Sequence, residues 1–243
     1  MTAPLLQIDH VSKRFGGLQA LDDVSMAVES GEIVGIIGPN GAGKTTLFNV
    51  ASGFIVPDSG SVMLDGQRVD GGRPHRLCRL GLARTFQVTK PFHNLTVLEA
   101  VRIGALNHTD SMSYATKLAR EVLARVRLDD RADQLSRQLT VIQRKRLEIA
   151  RALATGPRII LLDEVAAGLR GFEIRELVEL IRAIAAEGIA VVMIEHVLEA
   201  LMATVARVVV LNFGCKIAEG TPAAVARDDR VIEAYLGTEA SHA

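Results

Sequence analysis

Gly38-Pro39-Asn40-Gly41-Ala42-Gly43-Lys44-Thr45 matches the pattern G-x-x-x-x-G-K-[ST] in full. Glycines let a backbone curl until its N–H groups converge on phosphate oxygens. A helix starting at the lysine would add the positive end of its dipole. The pattern places Lys44 to reach β- and γ-phosphates and the Thr45 hydroxyl to reach Mg²⁺, with Thr46 following in the same first turn. A chance glycine-rich turn is the competing reading, but it leaves the apolar run before the loop and the helical pattern after it without explanation.

Asp163-Glu164 supplies the complementary chemistry. A carboxylate at the end of a buried strand can hold Mg²⁺, usually through water. A second carboxylate beside it can polarise an attacking water as a general base. Alone the pair is weak, because two acids also begin many loops. It gains weight by closing the apolar run Ile159–Leu162 downstream of a complete phosphate loop.

Positioning these groups requires a strand before each. Glu32–Ile37 reads as a buried strand and Lys44–Ala51 as a helix, the strand–loop–helix context the motif needs. Residues 5–28 read as short strands, with Leu6, Ile8 and Val11 and then Val24, Met26 and Val28 alternating. Ser61–Leu64 reads as another. Ala115–Leu128 has helical periodicity, as do Gln143–Leu153 and Glu173–Ala186. Ile189–Ile194 and Val208–Leu211 are strands flanking a helix at Val197–Ala203. Repeated strand–helix units predict an α/β fold with a mostly parallel sheet. The helical stretch near 96–140 interrupts that rhythm and reads as an inserted subdomain, bounded at about 92–155.

Bulk composition narrows the function. The chain has 243 residues, 49% apolar and 23% charged, with 28 basic and 28 acidic residues. That is a globular composition without the basic excess that nucleic-acid binding would call for. Cys78 and Cys215 are far apart in sequence, which suits a reducing compartment. The start, Met1-Thr2-Ala3-Pro4, shows no basic stretch followed by an apolar core, so no signal peptide is expected.

With these motifs in order, the chain resembles the nucleotide-binding subunit of an ABC transporter along essentially its whole length. The resemblance implies a single domain over 1–243: a P-loop NTPase (RecA-like) core, an N-terminal antiparallel β subdomain, the inserted helices, and a C-terminal tail from about 212. Phe15 corresponds to the aromatic residue that stacks on adenine; an ordinary core phenylalanine is the alternative. Gln87, in Ala83-Arg84-Thr85-Phe86-Gln87, matches the glutamine that contacts Mg²⁺ or water and relays nucleotide state. His196, in Ile194-Glu195-His196, matches the histidine that contacts the γ-phosphate. The implied catalytic set is Glu164, His196 and Gln87; the implied metal set is Thr45, Gln87 and Asp163.

The family's signature, roughly Leu-Ser-Gly-Gly-Gln, is altered here to Leu139-Thr140-Val141-Ile142-Gln143. Thr140 and Gln143 keep the spacing of a helix capping box and are the residues expected to face a partner's ATP. Val141 and Ile142 replace both glycines, and the basic run 144–146 sits at a helix start where the dipole disfavours it. Val165 stands where proline is usual, and Arg170 where a small polar or acidic residue is usual.

Two such domains sandwich two ATP molecules in this family, so an altered signature burdens the partner's site. A heterodimer with a second, different ATPase subunit is therefore expected. Gly81–Gln87, Pro91–Glu99, Ala166–Leu169, Met193–His196 and the tail segments Ala218–Pro222 and Val231–Gly237 are similar to branched-chain amino-acid importers. Those systems imply two membrane permease subunits, a substrate-binding protein, and a seat on the cytoplasmic face of the membrane. Two other readings stand beside this one: an ATP-binding regulatory subunit with little hydrolysis, and a soluble ABC ATPase outside transport.

Overall fold

The computed structural model describes residues 3–85 and 94–239, with side chains for all of these except 198–200 and 236–239. In chain order the strands are β1 (Leu6–Phe15), β2 (Leu18–Val28), β3 (Ile33–Ile37), β4 (Ser59–Leu64), β5 (Gln67–Arg68), β6 (Leu82–Arg84), β7 (Ile159–Asp163), β8 (Ala190–Ile194), β9 (Arg207–Asn212) and β10 (Cys215–Gly220). The helices are α1 (Lys44–Ala51), α2 (Pro74–Arg79), α3 (Val97–Ala105), α4 (Met112–Arg125), α5 (Val141–Leu153), α6 (Phe172–Ala186), α7 (Leu198–Thr204), α8 (Pro222–Val225) and α9 (Asp229–Glu239).

Two sheets form. The first, in order β2-β1-β4-β5, is antiparallel; the second runs β10-β9-β3-β8-β7-β6 and is parallel except for β10 against β9. Burial explains the difference in their sequences. Strands β3, β7 and β8 are buried at every position, so they read as unbroken apolar runs, as strands covered on both faces do. Successive side chains still point to opposite faces. Ile33 and Ile37 join the core under α3–α6, while Val34 and Ile36 join the core between this sheet and the antiparallel one. Along β7, Ile160 and Leu162 face the first core and Ile159 and Leu161 the second.

The helical stretch expected at 96–140 resolves into α3 and α4, with a turn over Asp129–Arg131 and another over Ser136–Gln138 before α5. Thr96 caps α3 and Thr140 caps α5, each in a reciprocal capping box with Glu99 and Gln143. Several elements have no clear signal in the sequence. β6 is three residues long, and β10 carries too few apolar residues to stand out.

The parallel order places the carboxyl ends of β3, β7 and β8 together. The 38–45 loop, Asp163-Glu164 and Glu195-His196 all leave the sheet at that edge, where ligands bind in open α/β sheets.

Candidate nucleotide site

The phosphate loop is shaped by its backbone. Gly38 has φ 150° and Gly41 φ 79°. A side chain on Gly38 would overlap the carbonyl of Leu211, whereas one on Gly41 would meet nothing. The two positions separate steric from conformational cost. Gly41→Ala is expected to cost about 1–2 kcal/mol for the left-handed conformation alone. Gly38→Ala adds overpacking against fixed backbone and is expected to cost about 3 kcal/mol or more. Thermal denaturation of the two variants checks this; equal losses would show that the Leu211 contact does not hold the loop.

No side chain caps α1, and no acidic residue lies in its first turn. Its orphan N–H groups therefore face the loop with an uncompensated positive end. The Lys44 ammonium folds back over the loop and donates to the Gly38 carbonyl at 2.6 Å and the Pro39 carbonyl at 2.8 Å. Lys44 is only 6% exposed. Burial lowers its pKa, and the charges of Glu164 and Asp163 oppose that shift. A buried cation among uncapped helix donors is a site for a polyanion. Asn40 and Thr45 lie at the open surface of the loop, while Pro39 and Ala42 are buried beneath it. From the tail, Tyr235 reaches the same loop. Burial raises its phenol pKa and a hydrogen bond with the Gly38 backbone opposes the rise.

Phe15 ends β1 and is 45% exposed, so the reading as a core phenylalanine fails. Its ring lies at the surface with the Lys13 ammonium over it, 5.6 Å from the ring centroid.

His196 and Glu164 are brought together across the sheet edge, His196 Nε2 lying 3.2 Å from Glu164 Oε1. Glu164 adopts φ 50°, a strained conformation for a non-glycine residue that persists only where its surroundings enforce it. Three contacts do so. The Glu164 N–H donates to the Ile194 carbonyl at 2.9 Å, Ala167 N–H donates to the Glu164 carbonyl at 3.2 Å, and Lys145 Nζ donates to that carbonyl at 3.3 Å.

Asp163 is buried and ion-paired. The Arg84 guanidinium reaches Asp163 Oδ2 at 3.0 Å, and its other nitrogen donates to Asn49 Oδ1 at 2.7 Å and Ser52 Oγ at 3.1 Å. Arg84 also lies 5.5 Å from the Phe48 ring centroid and 5.8 Å from that of Phe54. The Asp163 N–H donates to Thr85 Oγ1. Sequence reasoning gave Arg84 no role. Its one signal is a charge closing the buried pair Leu82-Ala83. Gln87 lies outside the described residues.

The signature region is more selective than its sequence suggests. Ile142 is 9% exposed and packs into the core under the helices, while Val141 is 42% exposed and points outward towards Gly168. Of the two replaced glycines, only position 141 presents a branched side chain at the surface. Two of the three basic residues at the start of α5 meet acceptors on other segments. Arg146 pairs with Glu176 at 2.8 Å and Lys145 with the Glu164 carbonyl. Val165 is fully buried, and Arg170 is exposed with its N–H donating to Glu173.

The family described as "ABC transporter" matches residues 21–167. The chain belongs to the ABC transporter family. The family described as "Branched-chain amino acid ATP-binding cassette transporter" matches residues 215–241. The chain is similar to the high-affinity branched-chain amino acid transport ATP-binding protein BraF of Pseudomonas aeruginosa, 37% identical over 98% of this chain and 99% of that one. Among solved structures it is similar to an ATP-binding cassette of an ABC transporter in its ADP conformation. That likeness has a TM-score of 0.89 and 32% identity, covering 97% of this chain and all of the other. It is also similar to a dimeric ATP-binding cassette in a post-hydrolysis state with ADP and Pi, with a TM-score of 0.79 and 27% identity over 89% of this chain and 98% of that one. These likenesses establish the α/β P-loop NTPase fold with its antiparallel N-terminal sheet. Members of this family are nucleotide-binding ATPases, and the chain is one of them.

Proposed function

We propose that this ABC ATPase drives import of branched-chain amino acids or related small polar solutes, as the hydrolytic subunit of a complex with two membrane permeases and a substrate-binding protein. The observation that carries the hydrolytic role is the pairing of His196 with Glu164 at 3.2 Å beside the Lys44 loop. Similarity to BraF across 98% of the chain supports the class of cargo. No helix among the described residues is long and apolar enough to cross a membrane, in keeping with a subunit held at the cytoplasmic face through permeases.

The residues present suit Mg-ATP. Phe15 offers a face to adenine, residues 38–46 hold the phosphates, and Lys44 trades its two carbonyl acceptors for phosphate oxygens. Thr45 and Asp163 are hard oxygen donors of the kind Mg²⁺ takes alongside substrate phosphates, with Gln87 as the third expected contact. Mg²⁺ held there would supply positive charge to offset that of the phosphates. Glu164 accepts a proton from the attacking water, and His196 orients that carboxylate and faces the γ-phosphate.

Thr140 and Gln143, acting on a second subunit's nucleotide, complete the proposed arrangement. Both side chains are engaged in the α5 capping box, Gln143 N–H donating to Thr140 Oγ1 and Thr140 N–H to Gln143 Oε1. The box uses both side-chain oxygens as acceptors, so the Thr140 hydroxyl and the Gln143 amide N–H groups are not consumed by it and can donate beside the helix dipole. A surface valine in front of it weakens the site this chain completes, and a heterodimer confines that weakness to one of two sites.

Val141→Gly tests the heterodimer. The expected result is a rise of about tenfold or more in ATPase rate for the purified chain alone, with a smaller change in a complex containing a different ATPase. Ile142 is left in place because glycine there would open a cavity. A chain that alone hydrolyses ATP at the family's normal rate, unmoved by Val141→Gly, would end the heterodimer idea. The cargo is tested by reconstituting the complex in vesicles and measuring uptake of leucine against urea and amides.

A further inference from the structure

Glu195 is a buried acid that hydrolysis chemistry does not itself require. It follows β8 and immediately precedes His196. It is 3% exposed. Its Oε1 accepts a hydrogen bond from the Ala166 N–H at 2.8 Å, and among the described residues its Oε2, also buried, has no hydrogen-bond partner. An apolar side chain of equal volume would fill this space without the cost of desolvating a carboxyl.

The geometry gives the acid a purpose. The end of β8 is tied to the segment after β7 by the Glu164 N–H to the Ile194 carbonyl and by the Ala166 N–H, with the Val165 backbone beside it, to the Glu195 side chain. These contacts bracket Glu164 on both sides of its strained φ 50°. His196, one residue beyond the latch, sits 3.2 Å from the Glu164 carboxylate. Lys145 of α5 holds the Glu164 carbonyl from the other side.

We propose that Glu195 is a positioning residue that latches the segment after Glu164 to the strand bearing His196, and so sets the distance between the two catalytic groups. This rests on the hydrolytic roles proposed above for Glu164 and His196. Burial pushes the Glu195 carboxyl up to about 7, against the Ala166 hydrogen bond and the charge of Lys145, with Glu164 adding to the rise. The latch therefore does not depend on full ionisation: an acceptor oxygen for Ala166 is present in either protonation state.

The test uses three variants of the full chain in its assembled transporter. Glu195→Gln keeps the acceptor and the reach. Glu195→Met keeps the volume and removes the acceptor. Glu195→Asp keeps the acid but is too short to reach Ala166, and remains informative if the methionine variant fails to fold. Turnover, the Kd of a fluorescent ATP analogue and the NMR shifts of the His196 imidazole are read at pH 7. The latch predicts near wild-type turnover for glutamine. It predicts turnover lowered about a hundredfold for methionine and aspartate, with Kd unchanged within about twofold and displaced His196 imidazole resonances. Wild-type turnover in the aspartate variant overturns the proposal, as does a glutamine variant as slow as the aspartate one, or a loss of ATP binding in step with turnover. Glu164→Gln serves as the control. If it fails to stall hydrolysis, the catalytic reading is at fault; if it stalls while Glu195→Asp turns over normally, only the latch is.

Discussion

Replacing Glu164 by Gln is expected to leave ATP bound and unhydrolysed. The variant loses the carboxylate that takes the water's proton, a contribution of about 10²–10⁴ in rate. It keeps the groups that grip the phosphates, because Lys44 holds its carbonyl contacts and α1 its uncapped start, although Lys44 loses the Glu164 charge that opposes the lowering of its pKa. The isosteric amide also leaves the Glu164 backbone contacts with Ile194, Ala167 and Lys145 in place. The checks are single-turnover hydrolysis and the size of the particle in the presence of Mg-ATP. Trapped ATP is expected to raise the particle size to that of two ATPase subunits. Rapid turnover by the variant would remove Glu164 from the role of base.

Arg84→Met is expected to cost stability rather than chemistry alone. It removes one partner of a buried ion pair whose two side chains are nearly inaccessible. Breaking such a pair costs about 3–5 kcal/mol, because the remaining charge stays buried without compensation. At about 2–4 °C per kcal/mol for a chain of this size, Tm falls by roughly 6–20 °C. Methionine keeps volume between Phe48 and Phe54, so the loss reports on charge more than on packing. Adding Asp163→Asn should recover much of it, since the uncompensated charge goes with the second change. A loss below about 1 kcal/mol in the single variant would mean that water or a neighbouring group takes over from the guanidinium.

Parts of this molecule were legible residue by residue. The phosphate loop was, because its chemistry needs glycines, a lysine and a hydroxyl at fixed spacing in one short segment. β3, β7 and β8 were legible as apolar runs because both faces of the sheet are covered. The limits of α1 were also legible, since glycine precedes it and its apolar period is clean. β6, β10, α2, α8 and α9 were not. These are short, or lie at sheet edges and the surface, where few positions are buried and the period has too few repeats to register.

The candidate site divides along the same line. Phe15 could be named from the sequence, but only its exposure at the end of β1 shows that it is not a core residue. Position 142 reads as an obstruction beside 141 until the α5 rotation turns it into the core. Glu195 and Arg84 are silent in the sequence, since their meaning lies in partners 29 and 79 residues away along the chain.

What the sequence determined by itself was the chemistry: a phosphate-binding loop, paired carboxylates and a histidine, in an order specific to ABC ATPases. Those groups act through residue type and local spacing, which a linear chain carries intact. What only the tertiary structure decided was how they are held. The parallel sheet brings three strand ends to one edge and sets His196 against Glu164. It also pairs Asp163 with Arg84 and ties Ala166 to a buried acid just past the end of β8. Hydrogen bonds and ion pairs between distant segments depend on distance and burial, and both arise only when the sheet closes over its two cores.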